Sequence, residues 1–187
     1  MRLRTLIVVP VLLVAQSAFA DSLDLNLRSD AVQFTYGRSY RAAELAAGAL
    51  WKESENDSSA GWAAHLGFLA SGEQESRGSR WQAGLGGRLY FARVGSTDAL
   101  ALALGGRFRW SPGDAPIGLG AYGFFAPDIV TGLDARRFWE AGAQVELEVV
   151  RNTANVYVGY RRMEMRLEND VDTTVDKGGH VGVRIVF

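Results

Sequence analysis

The chain has 187 residues with 20 basic and 21 acidic side chains, two histidines and no cysteine. That balance excludes the basic footprint of a nucleic-acid binder. The lack of cysteine excludes a disulfide scaffold, a thiol nucleophile and lipid attachment at an N-terminal cysteine.

Residues 1–20 have the three parts of a secretory signal. Arg2 and Arg4 form a basic start, Leu6 to Val14 an apolar stretch broken at Pro10, and Ala18-Phe19-Ala20 a small-residue cleavage site. The apolar stretch is well short of the roughly 20 residues a spanning helix needs. The mature chain is therefore expected to start at Asp21, as one domain over 21–187. Losing Arg2 and Arg4 leaves 18 basic against 21 acidic side chains, net −3.

From Asp21 onward the chain alternates with period two, so neighbouring side chains point to opposite faces of an extended strand. Asp21 to Arg28 sets Leu23, Leu25 and Leu27 against Asp24, Asn26 and Arg28, and Ser29-Asp30 signals a turn. Ala31 to Arg38 presents Val32, Phe34 and Tyr36 on one face. Glu44 to Lys52 puts Leu45, Ala47, Ala49 and Trp51 together; Ala, Glu and Leu would also suit a helix, but Gly48 and the flanking strands favour a strand. Glu53 to Ala60 is a polar loop.

Gly61 to Ala70 aligns Trp62, Ala64, Leu66 and Phe68. Ser71 to Ser79 is polar and is expected to be a loop. Arg80 to Ala92 is the clearest strand, with Trp81, Leu85, Leu89 and Phe91 opposed by Gln82, Arg88 and Tyr90. Ala99 to Trp110 sets Leu100, Leu102, Leu104, Phe108 and Trp110 against Arg107 and Arg109. Ser111-Pro112-Gly113-Asp114 is a turn, and Ile117 to Phe125 a further strand before a loop over 127–136.

Arg137 to Val150 opposes Trp139, Val145, Leu147 and Val149 to Glu140, Gln144, Glu146 and Glu148. Asn155 to Leu167 is a strand with two apolar sets out of phase: Val156, Val158 and Tyr160, then Met163, Met165 and Leu167. A bulge near Tyr160 to Arg162 would reconcile them. Glu168 to Lys177 is an acidic loop. Gly179 to Phe187 closes the chain with Val181, Val183, Ile185 and Phe187 on one face.

Strands of about nine to thirteen residues exceed the soluble mode of five or six and suit a tilted membrane crossing. Trp51, Trp62, Trp81, Phe91, Trp110, Phe125, Trp139 and Phe187 fall near strand ends, as interfacial girdles do. Glycines inside the apolar runs would relieve crowding within a narrow barrel. The expected fold is an all-β, transmembrane, antiparallel up-and-down barrel. Counting back from Phe187 gives eight strands; pairing 31–38 with 23–27 gives ten, which the clean alternation of both stretches favours. A soluble barrel would instead turn the charged face outward.

Several stretches resemble the YfaZ family of outer-membrane proteins. They are Leu23-Asp24-Leu25-Asn26-Leu27 with Asp30-Ala31, Gly84-Leu85-Gly86-Gly87-Arg88-Leu89-Tyr90, and Ala101-Leu102-Ala103-Leu104-Gly105-Gly106. Phe125-Ala126-Pro127-Asp128, Val158-Gly159-Tyr160-Arg161 and His180-Val181-Gly182-Val183-Arg184 with Phe187 complete the set; residues 39–83 match least. The resemblance implies an outer-membrane β-barrel and no particular activity.

No catalytic constellation stands out. A lipid-modifying barrel hydrolase, the least favoured function, would need a histidine with a serine and an acid; His65 and His180 lack a serine two residues on, though His180 would be able to meet Glu140 across a lumen. Two separated histidines without cysteine make no metal site, and the Gly-x-Gly repeats precede no helix, so no cofactor is expected. The inward charges Arg88, Arg107, Arg109, Glu140, Glu146, Glu148 and Arg184 either pair into a plug or line a narrow pore for small solutes. The small lumen of such a barrel favours the plug. Val181, Val183, Ile185 and Phe187 are the expected assembly signal. The expected partners are outer-membrane lipid and lipopolysaccharide, the barrel assembly machinery and periplasmic chaperones, with a monomeric state.

Overall fold

The computed structural model describes residues 20–54, 60–76, 78–113, 115–168 and 170–187. The expected signal segment 1–19 and the centre of the 53–60 loop lie outside the described residues. Eleven strands form one closed sheet: β1 (Ala20–Leu27), β2 (Ala31–Tyr40), β3 (Ala43–Lys52), β4 (Gly61–Ser76), β5 (Ser79–Val94), β6 (Thr97–Pro112), β7 (Ile117–Ala126), β8 (Thr131–Leu133), β9 (Ala135–Val150), β10 (Ala154–Leu167) and β11 (Asp172–Val186). All pairings are antiparallel, and β11 returns to β1 in the register Leu25↔Val183. Phe187 and Asp21 exchange two backbone hydrogen bonds of 2.8 Å at this seam.

The short β8 continues the line of β7 beyond a 3-10 turn at Asp128–Val130 and pairs with β6 through Ala101↔Thr131. The wall is thus a ten-strand barrel, the larger of the two expected counts. Closure pairs β1 with β11 from Ser22 to Leu27 and so leaves no edge strand over that span, which is what a strand structure needs in lipid, where an unpaired backbone group costs several kcal/mol.

The alternation along each strand sets the two faces. Between the aromatic bands, the outward positions on the ten crossings are apolar, glycine or aromatic. The departures are Arg162 and Lys177, which stand opposite each other in register beside Trp139. Leu85 and Leu104 are 74% and 68% exposed. The other charges between the bands point inward, while outward charges stand at the rims, where Arg93 pairs with Asp98 and Arg38 with Asp21. A soluble barrel would reverse this, because water would penalise such a continuous apolar exterior. One aromatic band contains Trp51, Trp62, Phe91, Phe125 and Trp139, the other Trp81, Phe108, Trp110 and Phe187. Cross-strand ring pairs such as Trp81–Trp110 (centroids 5.8 Å) reinforce them. The fold is therefore the expected transmembrane barrel.

Three local expectations change. Ser71 to Ser79 is not a loop: β4 and β5 pair through it as far as Ser76↔Ser79. Most of 168–177 is likewise strand, since β11 begins at Asp172. A hairpin can carry polar residues on both faces where it rises beyond the apolar belt, so polarity there does not signal a loop.

The third change concerns the bulge. β10 keeps strict alternation, with Val156, Val158 and Tyr160 outside and Met163 and Met165 buried inside. The irregularity sits on the partner strand: Met163 faces Asp176, Glu164 faces Thr174, and Val175 is the extra residue. Val175 turns inward as a result, beside Asp176, which faces inward by the ordinary alternation of β11.

The barrel has a terminal end, holding Ala20 and Phe187, and a distal end. The distal half of the lumen is filled by Leu50, Tyr90, Ala92, Ala101, Phe124, Phe138, Met163, Met165 and Val175, all nearly inaccessible. Small alanines on β6 let Phe138 and the two methionines cross the bore, and Tyr90 packs on Phe138 at 4.7 Å. This is an ordinary close-packed apolar core placed inside a membrane barrel.

Candidate functional site

The other half of the lumen is a polar cavity of about 1040 Å³. Its mouth is lined by residues of the terminal-end turns, including Arg41, Gly78, Pro116 and Asn152, and, among the described residues, by none from the distal turns. Its floor carries His65, Arg88, Tyr122, Glu140, Arg161 and His180, resting on the apolar core. The cavity is a vestibule open at one end.

Inward alternation brings the charges of distant strands together. Glu146 on β9 forms an ion pair with Arg109 of β6 at 2.5 Å and accepts a hydrogen bond from Arg184 of β11 at 3.0 Å. Arg184 also reaches Asp24 of β1 at 2.9 Å, so one chain of pairs crosses the bore. Deeper, Arg88 meets Glu140 at 3.4 Å, its guanidinium lies 4.1 Å over the Phe124 ring, and the Tyr90 hydroxyl donates to Glu140. A carboxylate held this far from water needs such donors, because leaving it unpaired costs several kcal/mol.

Of the seven charges named from the sequence, six lie in this network. Arg107 does not bond to the β9 acids; it donates to Glu44 of β3 at 2.7 Å. Glu148 departs from the expectation. It stands at the mouth and accepts the backbone N–H of Asn152 at 2.6 Å, so it caps the β9–β10 turn. Its side chain is inward by parity, but it is too close to the turn to reach the arginines. His180 does not bond to Glu140, which is taken by Arg88 and Tyr90; its ring lies edge-on to Tyr157 at 5.9 Å.

Several members were not singled out from the sequence. Asp24 and Glu44 supply counter-charges, and Tyr157 donates to Asp24. The deepest cluster joins Arg161 to Asp176 at 2.6 Å and Asp176 to Arg28 at 2.6 Å, with Gln33 accepting from Arg161. Parity alone would have found Asp24 and Glu44, since both stand on the polar side of their alternation. Asp176 shares the inward parity of His180 and Arg184, but it lies in a stretch with the composition of a loop, where no strand is expected.

Large inward rings face inward glycines on the neighbouring strand. The register pairs Gly48 with His65, Gly142 with Tyr122, and Gly182 with Tyr157. A Cβ on Gly182 would overlap the Tyr157 ring, and one on Gly48 would overlap the His65 ring. These glycines make the room in which the rings lie along the wall.

Among the described residues, no three His, Asp or Glu side chains are grouped to hold a metal ion. No helix among them is long and apolar enough to cross a membrane, which has no bearing on a barrel.

No curated protein matches the chain. Among solved structures, the outer membrane channel DcaP of Acinetobacter baumannii is 13% identical, with 88% of this chain and 54% of that one covered at a TM-score of 0.35; the chain spans about half the length of that channel. Neisserial surface protein A is 11% identical, with 90% and 94% covered at a TM-score of 0.36. The YfaZ precursor family matches over residues 1–187, the whole chain, and the protein belongs to the YfaZ family.

Proposed function

We propose that this protein is an exported, integral outer-membrane barrel whose lumen does not conduct, and whose role is structural or surface-borne rather than that of an open channel. The observation that carries this reading is the apolar core across the distal half of the bore, including Phe138, Met163 and Met165. The paired layer of Arg88, Tyr90 and Glu140 backs it. Ions cross an apolar constriction poorly, because it strips them of water and offers no replacement ligands. The plug is thus of two kinds, charge pairs toward the vestibule and hydrocarbon toward the distal end.

The turns orient the barrel. Those at the terminal end are tight, from Tyr40 to Ala43 and from Ser76 to Ser79, whereas the distal end carries the longer spans Lys52 to Gly61 and Ala126 to Ala135. Barrels of this kind keep short turns in the periplasm and long loops outside. On that basis the vestibule faces the periplasm. Cleavage before Asp21 would leave β1 almost whole. Outward Val181, Val183, Ile185 and Phe187 then serve as the strand read by the assembly machinery, and lipid and lipopolysaccharide surround a monomer.

Planar-bilayer recording of the refolded protein tests the sealed lumen. The expected result is no unitary current in the wild type, and steps on replacing Phe138 and Met165 with alanine. Steady, ion-selective wild-type channels would establish the pore instead.

A further inference from the structure

The vestibule does not present its charges evenly. The acids paired with its arginines are less exposed than they are: Glu146 is 2%, Glu44 10% and Asp24 17% exposed, while Arg107, Arg109 and Arg184 are 40%, 30% and 26% exposed. All three arginines line one cavity: Arg107 and Arg109 stand two residues apart on β6, and Arg109 and Arg184 meet the same carboxylate, Glu146. The accessible wall at this depth is therefore made of guanidinium groups, although the charges balance overall.

These groups keep donors in reserve. An arginine has five N–H donors in a planar fork. Arg107 gives both terminal nitrogens to Glu44, leaving Nε. Arg109 uses Nη2 for Glu146 and Asn155, leaving Nη1, while its Nε is buried in the wall. Arg184 uses Nε for Asp24 and Nη1 for Glu146. Nearer the mouth, Glu73, Glu75 and Glu148 are offset by Arg41, Arg80 and Arg151, so no one-signed barrier guards the entrance.

We infer that the vestibule is a binding site for a phosphate oxyanion, held between Arg107, Arg109 and Arg184 and reached from the terminal end. Three guanidinium groups suit a group with several charged oxygens, and planar forks match phosphate geometry in a way a lysine point charge does not. Free phosphate and the phosphoryl group of a small solute offer the same chemistry. The site does not depend on whether the lumen conducts, so its test is separate from the conductance measurement.

Isothermal titration of the refolded barrel in detergent, with inorganic phosphate and with glycerol phosphate at matched ionic strength, is the direct experiment, with glycerol as the neutral control. One or both anions should bind saturably; binding of glycerol phosphate alone assigns the site to a phosphorylated solute, and equal binding assigns it to the oxyanion itself. Arg109→Lys keeps a cation for Glu146 and removes the fork. It should weaken binding about tenfold or more, the effect of one charge-assisted hydrogen bond.

A second measurement needs no variant. Phenylglyoxal labelling of the wild type, mapped by mass spectrometry, should slow at Arg107 and Arg109 when phosphate is added and stay unchanged at the exterior Arg93. No saturable binding of either anion, or equal slowing at Arg93, would overturn the site.

Discussion

Arg161 and Asp176 form an ion pair of 2.6 Å deep inside the barrel, with the Asp176 side chain fully inaccessible. The pair exists because the alternation of β11, still in register at Met163↔Asp176, turns Asp176 inward, toward the place where β10 presents Arg161 and the β1–β2 turn presents Arg28. β1 stops at Leu27, so β11 has no backbone partner from that strand beyond Val181. Side-chain charge takes over where the ladder ends.

Replacing Asp176 with alanine would leave Arg161 and Arg28 without their shared carboxylate. The expected cost is roughly 3–5 kcal/mol, as for breaking one side of a buried pair. Arg161→Met with Asp176→Leu removes both charges and should cost less than either single change. Equilibrium unfolding in urea compares the three; a double mutant worse than both singles would show that the pair is not coupled in this way.

Glu146 and Glu148 have the same sequence environment and opposite structural roles. Glu146→Gln weakens the bridge between Arg109 and Arg184, and a loss of about 2–3 kcal/mol is expected for a buried group with two charged partners. Glu148→Gln alters only a turn contact at the open mouth and should change stability by less than about 0.5 kcal/mol. Equal losses in a urea titration would contradict the assignment of Glu148 to the turn.

The glycine opposite Tyr157 can be tested by steric means. Gly182→Ala places a methyl group where the ring lies and should destabilise the barrel by about 1–3 kcal/mol, the usual range for overpacking. Adding Tyr157→Ser makes room and should recover part of the loss. Failure of the second change to recover any stability would mean that the ring is not what the methyl group meets.

The outward apolar face carries two further expectations. The protein should need detergent to stay in solution and should migrate differently on gels before and after heating. Phe187→Ala removes an exposed aromatic at the seam and should lower the folded fraction in the outer membrane. Unchanged heat-modifiable protein in that variant would argue against its part in assembly.

The sequence by itself determined which residues share a face along each strand, with the facing of 155–167 left open. Period-two geometry is the reason, since it makes every side chain's face a matter of parity once a strand is recognised. It therefore also determined the barrel class, the aromatic bands and the inward placement of Arg88, Arg107, Arg109, Glu140, Glu146 and Arg184. Parity has no information about neighbours across the bore. Only the tertiary structure decided that Arg107 meets Glu44, that Glu146 joins two arginines, and that Glu148 belongs to a turn. It also decided the direction of Met163 and Met165, because the misfit in their pattern is absorbed by one extra residue on β11, a strand whose start has the composition of a loop. The seal of the lumen emerged last. It depends on alanines of β6 standing opposite Phe138 and the methionines, and such complementarity of size across a cavity has no signature along the chain.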